Sequence, residues 1–199
     1  MKIGRIAGSR SSTEAVVRYC ICGFLAGIVL VAACGTTPTS PPSSSNLSLF
    51  KLADNQVAGW IQDTSTTDAY TQWQDTSLYH PIDGGARLYV AHHVVQTSIQ
   101  KMIGPNGASM EVWAMDFGAA ACAATMFTDR KAAYTAGTYV ADGAYPLETA
   151  FVLPTIMSVL AVAHFDRYYF EISVKGADST SEGIAVADTV LHAFDSNMR

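Results

Sequence analysis

Residues 156–175, IMSVLAVAHFDRYYFEISVK, decide the fold of this chain. The first half of the stretch is almost continuously apolar, which is typical of a strand at the centre of a sheet. In residues 168–175, apolar side chains alternate with more polar ones, which is typical of a strand with one covered face. The pair Asp166 and Arg167 lies between the two halves and suits a tight turn. We therefore predict an antiparallel hairpin.

The segment that precedes this hairpin changes from a strand pattern to a helix pattern near Gly118. Residues 110–117, MEVWAMDF, carry the β-branched and aromatic side chains of a strand. The alanine-rich residues after them have an inward face at helical spacing, formed by Ala119, Cys122, Ala123, Met126 and Arg130. We expect Cys122 to be a buried thiol that packs as a small hydrophobic side chain.

The chain ends in a second predicted helix. Ser179 and Glu182 have the spacing of a capping box, which marks the first turn. An apolar stripe follows at helical spacing, formed by Ile184, Ala187, Leu191 and Phe194. Strands before and after helices, joined mostly by short turns, predict a single α+β domain in which helices pack on one face of an antiparallel sheet.

Residues 1–33 have the pattern of an export signal. Basic residues precede an uncharged run of 15 residues, 19–33, and these basic residues are Lys2, Arg5, Arg10 and Arg18. The run is shorter than the roughly 20 apolar residues that a membrane-spanning helix needs. It predicts a signal peptide that is removed, not a permanent anchor.

The signal ends at Cys34. The sequence Val31-Ala32-Ala33-Cys34 resembles the lipobox of bacterial prolipoproteins, and this resemblance implies cleavage before Cys34 and lipidation of its thiol. Two or more acyl chains would hold the protein on a membrane, because each buried methylene contributes about 0.8 kcal/mol. We expect a membrane-anchored lipoprotein of the cell envelope that faces outside the cytoplasm. The residue after the cysteine, Gly35, is not Asp, which implies the outer membrane if the host has two membranes.

Residues 34–46 contain the lipidated cysteine and a tether of Pro, Ser and Thr that cannot join a core, and residues 47–199 form the predicted globular domain. Eight of the twelve Lys and Arg residues follow Cys34, against sixteen Asp and Glu, so the mature part has a formal charge of −8. A surface for nucleic acid or anionic lipid needs clustered basic residues. The acidic balance therefore argues against a nucleic-acid partner.

Residues 76–89, TSLYHPIDGGARLY, resemble a family of secreted or lipid-anchored bacterial proteins that is known as a domain of unknown function. The hallmark of this family is a segment of the form L-Y-x-x-I-[DN]-G-[GA]-A-x-x-Y. Residues 59–60, 111–115 and 167–171 fall in register with other features of the same family. The resemblance covers most of residues 57–194 and implies a fold, but no established activity comes with it.

Within that motif, Asp83, Gly84 and Gly85 need a physical reason, because glycine costs backbone entropy wherever it lies. The glycines either permit positive φ at a turn or let another backbone or a ligand approach closely. We expect Asp83 to cap a short helix that runs from about residue 84 to residue 91. The alternative is an anion-binding helix start, although one Gly-Gly pair is a weak signal for phosphate.

Patterns for catalysis and metal binding are sparse. The sequence has no G-x-S-x-G motif. His92 and His93 would point to opposite faces of a strand and could not bind one metal ion without a histidine from elsewhere. We therefore expect no metal, no cofactor and no enzymatic activity. The rival hypothesis is an envelope enzyme with a carboxylate and histidine site that assembles only in the fold, from Glu111, His164 and Asp166.

Tyr70 and Trp73 lie in a polar stretch, residues 62–77, which we expect to be an exposed loop at a binding surface. The leading hypothesis is a lipid-anchored, non-enzymatic domain that binds a small ligand or an envelope protein. A structural lipoprotein that contacts other envelope proteins is a third hypothesis, and an exposed apolar patch would favour it.

Overall fold

The computed structural model describes residues 46–82, 85–134, 149–154 and 158–199. Within these ranges the strands are β1 (Ile61–Gln62), β2 (Tyr70–Gln74), β3 (Gln96–Ile103), β4 (Ser109–Asp116), β5 (Thr149–Pro154), β6 (Ser158–Phe165) and β7 (Tyr168–Lys175). The helices are α1 (Tyr79–Ile82), α2 (Ala86–Ala91), α3 (Ala120–Ala133) and α4 (Thr180–Met198), and a 3₁₀ helix spans Leu47–Phe50. In this part of the chain, no helix has the length and apolar character needed to cross a membrane.

The strands form one antiparallel sheet in the order β1–β3–β4–β7–β6–β5. β2 also pairs with β3, alongside β1, so that both short strands share one edge of the sheet. The hairpin predicted from the sequence is confirmed, because β6 and β7 pair from Phe165 and Tyr168 outward. Asp166 has a φ of 48°, a left-handed conformation of the kind that two-residue hairpin turns require.

Two hydrophobic clusters lie on opposite faces of the sheet. On β7, Phe170 and Ile172 pack with α4, whereas Tyr169 packs with α3 and α2. Alternate residues of a strand point to opposite faces. The α+β class, with one domain and an antiparallel sheet, is confirmed, but the helices lie on both faces of the sheet and not on one.

The predicted C-terminal helix is confirmed as α4. The Ser179 hydroxyl accepts a hydrogen bond from the Glu182 backbone N–H at 3.2 Å, and the Glu182 carboxylate accepts one from the Asp178 backbone N–H at 2.8 Å. These bonds satisfy backbone donors that a helix start leaves unpaired. The apolar stripe then packs on the sheet beside the 3₁₀ helix, whose Phe50 meets the Phe194 ring at 5.4 Å.

The predicted helix after Gly118 is confirmed as α3, and its buried residues are Cys122, Ala123, Met126 and Phe127. Cys122 is buried as expected, but it is disulfide-bonded and not a thiol. Its bonding partner lies outside the described residues. The predicted signal peptide, Cys34 and the tether up to residue 45 also lie outside the described residues.

Candidate functional site

The face of the sheet that carries α3 is covered over only part of its area. α3 packs where Met115, Val162 and Tyr169 point outward from the sheet. Further along the same strands, Glu111 lies opposite Ser173 on β7, and Ser109 lies opposite Lys175. A cleft of about 320 Å³ lies over this second region, here called the polar cleft; its lining residues are Glu111, Trp113, Arg130, Tyr134, Ser158, Leu160, Glu171, Ser173 and Lys175.

A larger cavity of about 530 Å³ adjoins the polar cleft, here called the apolar cavity. α1 and α2 supply most of its wall, and the lining residues are Ile82, Gly85, Arg87, Leu88, Tyr89, Ala91, Trp113 and Arg130. Trp113 and Arg130 line both spaces. They therefore stand where the polar cleft and the apolar cavity meet.

A buried network centred on Glu171 supports this junction. The Oε1 atom of Glu171 accepts hydrogen bonds from the hydroxyls of Tyr89 at 2.8 Å and Tyr169 at 2.7 Å. Its Oε2 atom accepts one from Nη2 of Arg130 at 3.0 Å. The three donors come from α2, β7 and α3. One carboxylate thus ties together the three elements that surround the cavities.

Burial and charge keep the three donors of this network in one protonation state. Burial, and then the negative charge of Glu171, raise the pKa of the Tyr89 hydroxyl, and the same two causes raise that of Tyr169. Burial is the largest single influence on Arg130 and lowers its pKa, but the Glu171 carboxylate and the neighbouring tyrosine hydroxyls together outweigh it, so that the pKa lies above its ordinary value. The two hydroxyls remain donors and the guanidinium remains charged across the physiological range.

Trp113 is held in place by Glu111 and Tyr89. Its indole Nε1 donates a hydrogen bond to the Glu111 carboxylate on the same strand. The ring of Tyr89 meets the indole edge to face, with 5.9 Å between ring centroids. The Arg130 guanidinium, which lines the same two cavities, lies 5.1 Å from the ring of Tyr134. The junction is therefore built from aromatic rings and one cation whose positions are fixed by their neighbours.

The motif that carries the family resemblance borders the apolar cavity. Ile82 and Gly85 line it, whereas Asp83 and Gly84, and with them the predicted helix cap, lie outside the described residues. Gly85 has a φ of −67°, so it does not serve a left-handed turn. A Cβ atom there would lie 3.0 Å from Cγ2 of Ile82. At Gly85 the predicted left-handed turn is therefore wrong, and the close neighbour is the side chain of Ile82, not the backbone or ligand of the second prediction.

The predicted loop at residues 62–77 is wrong in its centre, because residues Tyr70–Gln74 form β2 and pair with β3. The Tyr70 ring lies 4.8 Å from Nζ of Lys51. Trp73 donates a hydrogen bond to Oγ1 of Thr71 at 2.9 Å and packs against the cluster under α3. Neither aromatic residue lines the polar cleft or the apolar cavity. A binding role for this edge stays a prediction.

The adjacent histidines lie at the end of α2 and not on a strand. His92 is the C-cap, and its Nε2 lies 3.0 Å from Oδ2 of Asp129 on α3. His93 has a φ of 63°, the left-handed conformation that often ends a helix. Among the residues described, no three His, Cys, Asp or Glu side chains are grouped so that they could hold a metal ion.

The three residues of the enzyme hypothesis lie apart. Glu111 is in the polar cleft, whereas His164 lies against the ring of Phe127 under α3, at 5.0 Å between centroids. Their partners on β7, Ser173 and Tyr169, are four residues apart, which corresponds to about 13 Å along a strand. Asp166 is at the turn, still further from Glu111. These residues do not form a common site.

Sequence patterns do not reveal the network that surrounds the junction. Helical spacing places Arg130 on the inward face of α3, and a cation on such a face is the signal that a buried partner exists. The alternation along β7 predicts a polar surface position for Glu171, yet this residue is 5% exposed. Its donor Tyr89 is 82 residues away, so the pairing leaves no local pattern.

No family model and no curated protein matches the sequence. Among solved structures, the chain is similar to the extracellular domain of PknH from Mycobacterium tuberculosis, at 9% sequence identity and a TM-score of 0.42. The similarity covers 64% of this chain and 78% of that chain. At this identity and TM-score, it carries no information about what this chain binds.

Proposed function

We propose that the domain is a non-enzymatic binding module of the cell envelope that takes a small ligand where the polar cleft and the apolar cavity meet. The observation that carries this proposal is the junction itself. Two adjoining spaces of about 320 and 530 Å³ open beside Trp113 and Arg130. Small-molecule sites are typically concave, of roughly 300–1,000 Å³, and combine apolar walls with a few placed polar groups.

The Glu171 network favours binding over catalysis. Both oxygens of Glu171 are occupied by hydrogen bonds from Tyr89, Tyr169 and Arg130. Glu111 likewise accepts a hydrogen bond from Trp113. A general acid or base must reach a substrate proton, whereas these carboxylates hold the walls of the site. Because these walls are already fixed, binding of a ligand costs less side-chain conformational entropy.

The location is part of the same proposal. The basic, apolar and small-residue zones of residues 1–33, followed by Cys34, support export and lipid anchoring. A proline-rich tether extends about 3.1 Å per residue, so residues 35–46 could raise the domain by a few tens of ångströms. The site would then face the space next to the membrane, on the outer membrane if the host has two.

The test is a screen of water-soluble small molecules by ligand-observed NMR against the full chain in lipid nanodiscs. Ser173→Trp places a large side chain in the polar cleft, whereas Ser196→Trp makes the same change at an exposed position on α4. We expect the screen to find small molecules that bind the natural protein and Ser196→Trp but do not bind Ser173→Trp. Binders that are retained equally by both variants would contradict the proposal.

A further inference from the structure

We infer that the ligand of this site is an organic anion, with an apolar body in the apolar cavity and a carboxylate or phosphate group between Arg87 and Arg130. This inference rests on the proposed function and specifies its ligand class. It follows from the chemistry of the cavity lining, the state of Arg130 and the exposure of Arg87.

The lining of the apolar cavity combines apolar walls with two positive charges. Its uncharged lining residues are Ile82, Gly85, Leu88, Tyr89, Ala91 and Trp113. Its charged lining residues are Arg87 and Arg130, and no carboxylate lines this cavity in the described part of the chain. The predicted mature chain carries a formal charge of −8. Two guanidinium groups beside an apolar space are therefore a local exception, and they complement a negative group on an apolar ligand.

Arg130 retains hydrogen-bonding capacity. Its Nη2 donates to Glu171, but its Nε is buried and has no hydrogen-bond partner among the described residues. A buried donor without an acceptor destabilises the protein, and the cost is larger when the group is charged. An oxygen of a bound carboxylate or phosphate would be an acceptor, and guanidinium groups bind both in a forked geometry.

Arg87 supplies a positive charge that is not already balanced by a carboxylate within the described ranges. The charge of Arg130 is largely balanced by Glu171, which lies at 3.0 Å. Arg87 is exposed on α2, one turn before Ala91, and it makes no ion pair within the described ranges. An unbalanced cation at the mouth of an apolar cavity attracts anions and adds to their affinity. Arg130 would orient the negative group, and Arg87 would select for it.

Three probes that share a naphthalene ring test this inference: 1-naphthoate, 1-naphthyl phosphate and the uncharged 1-naphthalenemethanol. Their binding is measured by equilibrium dialysis against the full chain in nanodiscs of zwitterionic lipid, with empty nanodiscs subtracted. We expect at least one anion to bind about tenfold more tightly than the alcohol, which corresponds to about 1.4 kcal/mol. The comparison between naphthoate and naphthyl phosphate identifies the acid group that the site prefers.

Two matched variants assign the effect to the cavity. Arg87→Gln should weaken the preferred anion about fivefold to tenfold and leave the alcohol unchanged, because it removes one charge without removing a contact of the fold. Arg199→Gln removes a cation from the end of α4, on the other face of the sheet, and should change neither probe.

The inference is overturned if neither anion binds, if the alcohol binds as tightly as both anions, or if Arg87→Gln leaves the anion affinities unchanged. Ala91→Trp, which places a large side chain in the apolar cavity, separates this failure from that of the proposed function. Alcohol binding that Ala91→Trp abolishes would retain the site and reject only its preference for anions. Probe binding that survives both Ala91→Trp and Ser173→Trp would reject the inference and the proposed function together.

Discussion

Nη2 of Arg130 lies 3.0 Å from Oε2 of Glu171, and this ion pair joins α3 to β7 beneath the junction of the two cavities. The Glu171 side chain is 7% exposed and that of Arg130 is 24% exposed. A pair with one buried and one partly buried member is costly to break from either side, because the remaining charge loses its partner in a poorly solvated place.

Glu171→Gln should lower the free energy of unfolding by about 2–4 kcal/mol, since it leaves the Arg130 charge without a counterion. The comparison is Glu111→Gln, the same change on the neighbouring strand, which should cost less than about 1 kcal/mol. Urea unfolding followed by circular dichroism measures both. Equal losses of unfolding free energy in the two variants would contradict a special role of Glu171 in stability.

Gly183→Ala should destabilise the protein, although alanine is the better helix former by about 1 kcal/mol. A Cβ atom on Gly183 would lie 2.8 Å from Cγ2 of Val159, a stiff side chain on β6. We expect a loss of about 1–3 kcal/mol in the free energy of unfolding. The double variant with Val159→Ala should recover part of this loss relative to the sum of the two single changes. A gain in stability from Gly183→Ala alone would show that α4 packs less closely than described.

Asp116 makes stability depend on pH. Burial raises the pKa of its carboxyl, against a hydrogen bond from the Gly118 N–H at 2.7 Å and the charge of Arg167. Nη2 of Arg167 lies 3.1 Å from Oδ2, but not at the angle of a hydrogen bond. A raised pKa means that the folded state holds this proton more tightly than the unfolded state does. The stability this contributes is full below the ordinary value of 3.8 and is lost as the pH rises through the folded pKa.

Asp116→Asn abolishes this titration. The free energy of unfolding of Asp116→Asn, relative to the natural protein, should therefore increase from pH 3 to pH 7. Urea unfolding of both proteins at several pH values measures the difference. A difference that stays constant or decreases over this range would contradict the stated effect of burial.

Cys34→Ser should abolish incorporation of labelled palmitate into the protein, because it removes the thiol that the lipobox resemblance identifies. Cys22→Ser, the same change inside the predicted signal peptide, should leave incorporation intact. Labelling that persists in Cys34→Ser would contradict lipidation at Cys34.

The elements that follow from local patterns could be predicted. The hairpin of β6 and β7 was visible in the composition of its strands, and α4 in the spacing of Ser179 and Glu182. In both cases the interactions that fix the element connect residues near in sequence. The order of the strands and the placement of α3 depend on contacts between distant residues, and these left no periodic signal.

β7 illustrates how far an alternating sequence pattern can predict burial. Its alternation predicted one covered face and one polar face, but Tyr169 is fully buried and Glu171 nearly so. Both faces of this central strand are covered as far as Glu171, and a buried carboxylate is tolerated there because three donors satisfy it. β2 was missed because its polar residues, such as Gln72 and Gln74, lie at the sheet edge, where polar side chains are common.

The central claim is that the junction beside Trp113 and Arg130 holds a ligand. Its most direct test is native mass spectrometry of the protein extracted from its own membranes. The account predicts a bound small molecule on the natural protein and on Ser196→Trp, and its loss from Ser173→Trp, whose new side chain fills the polar cleft. The same adduct at equal occupancy on Ser173→Trp would contradict the account.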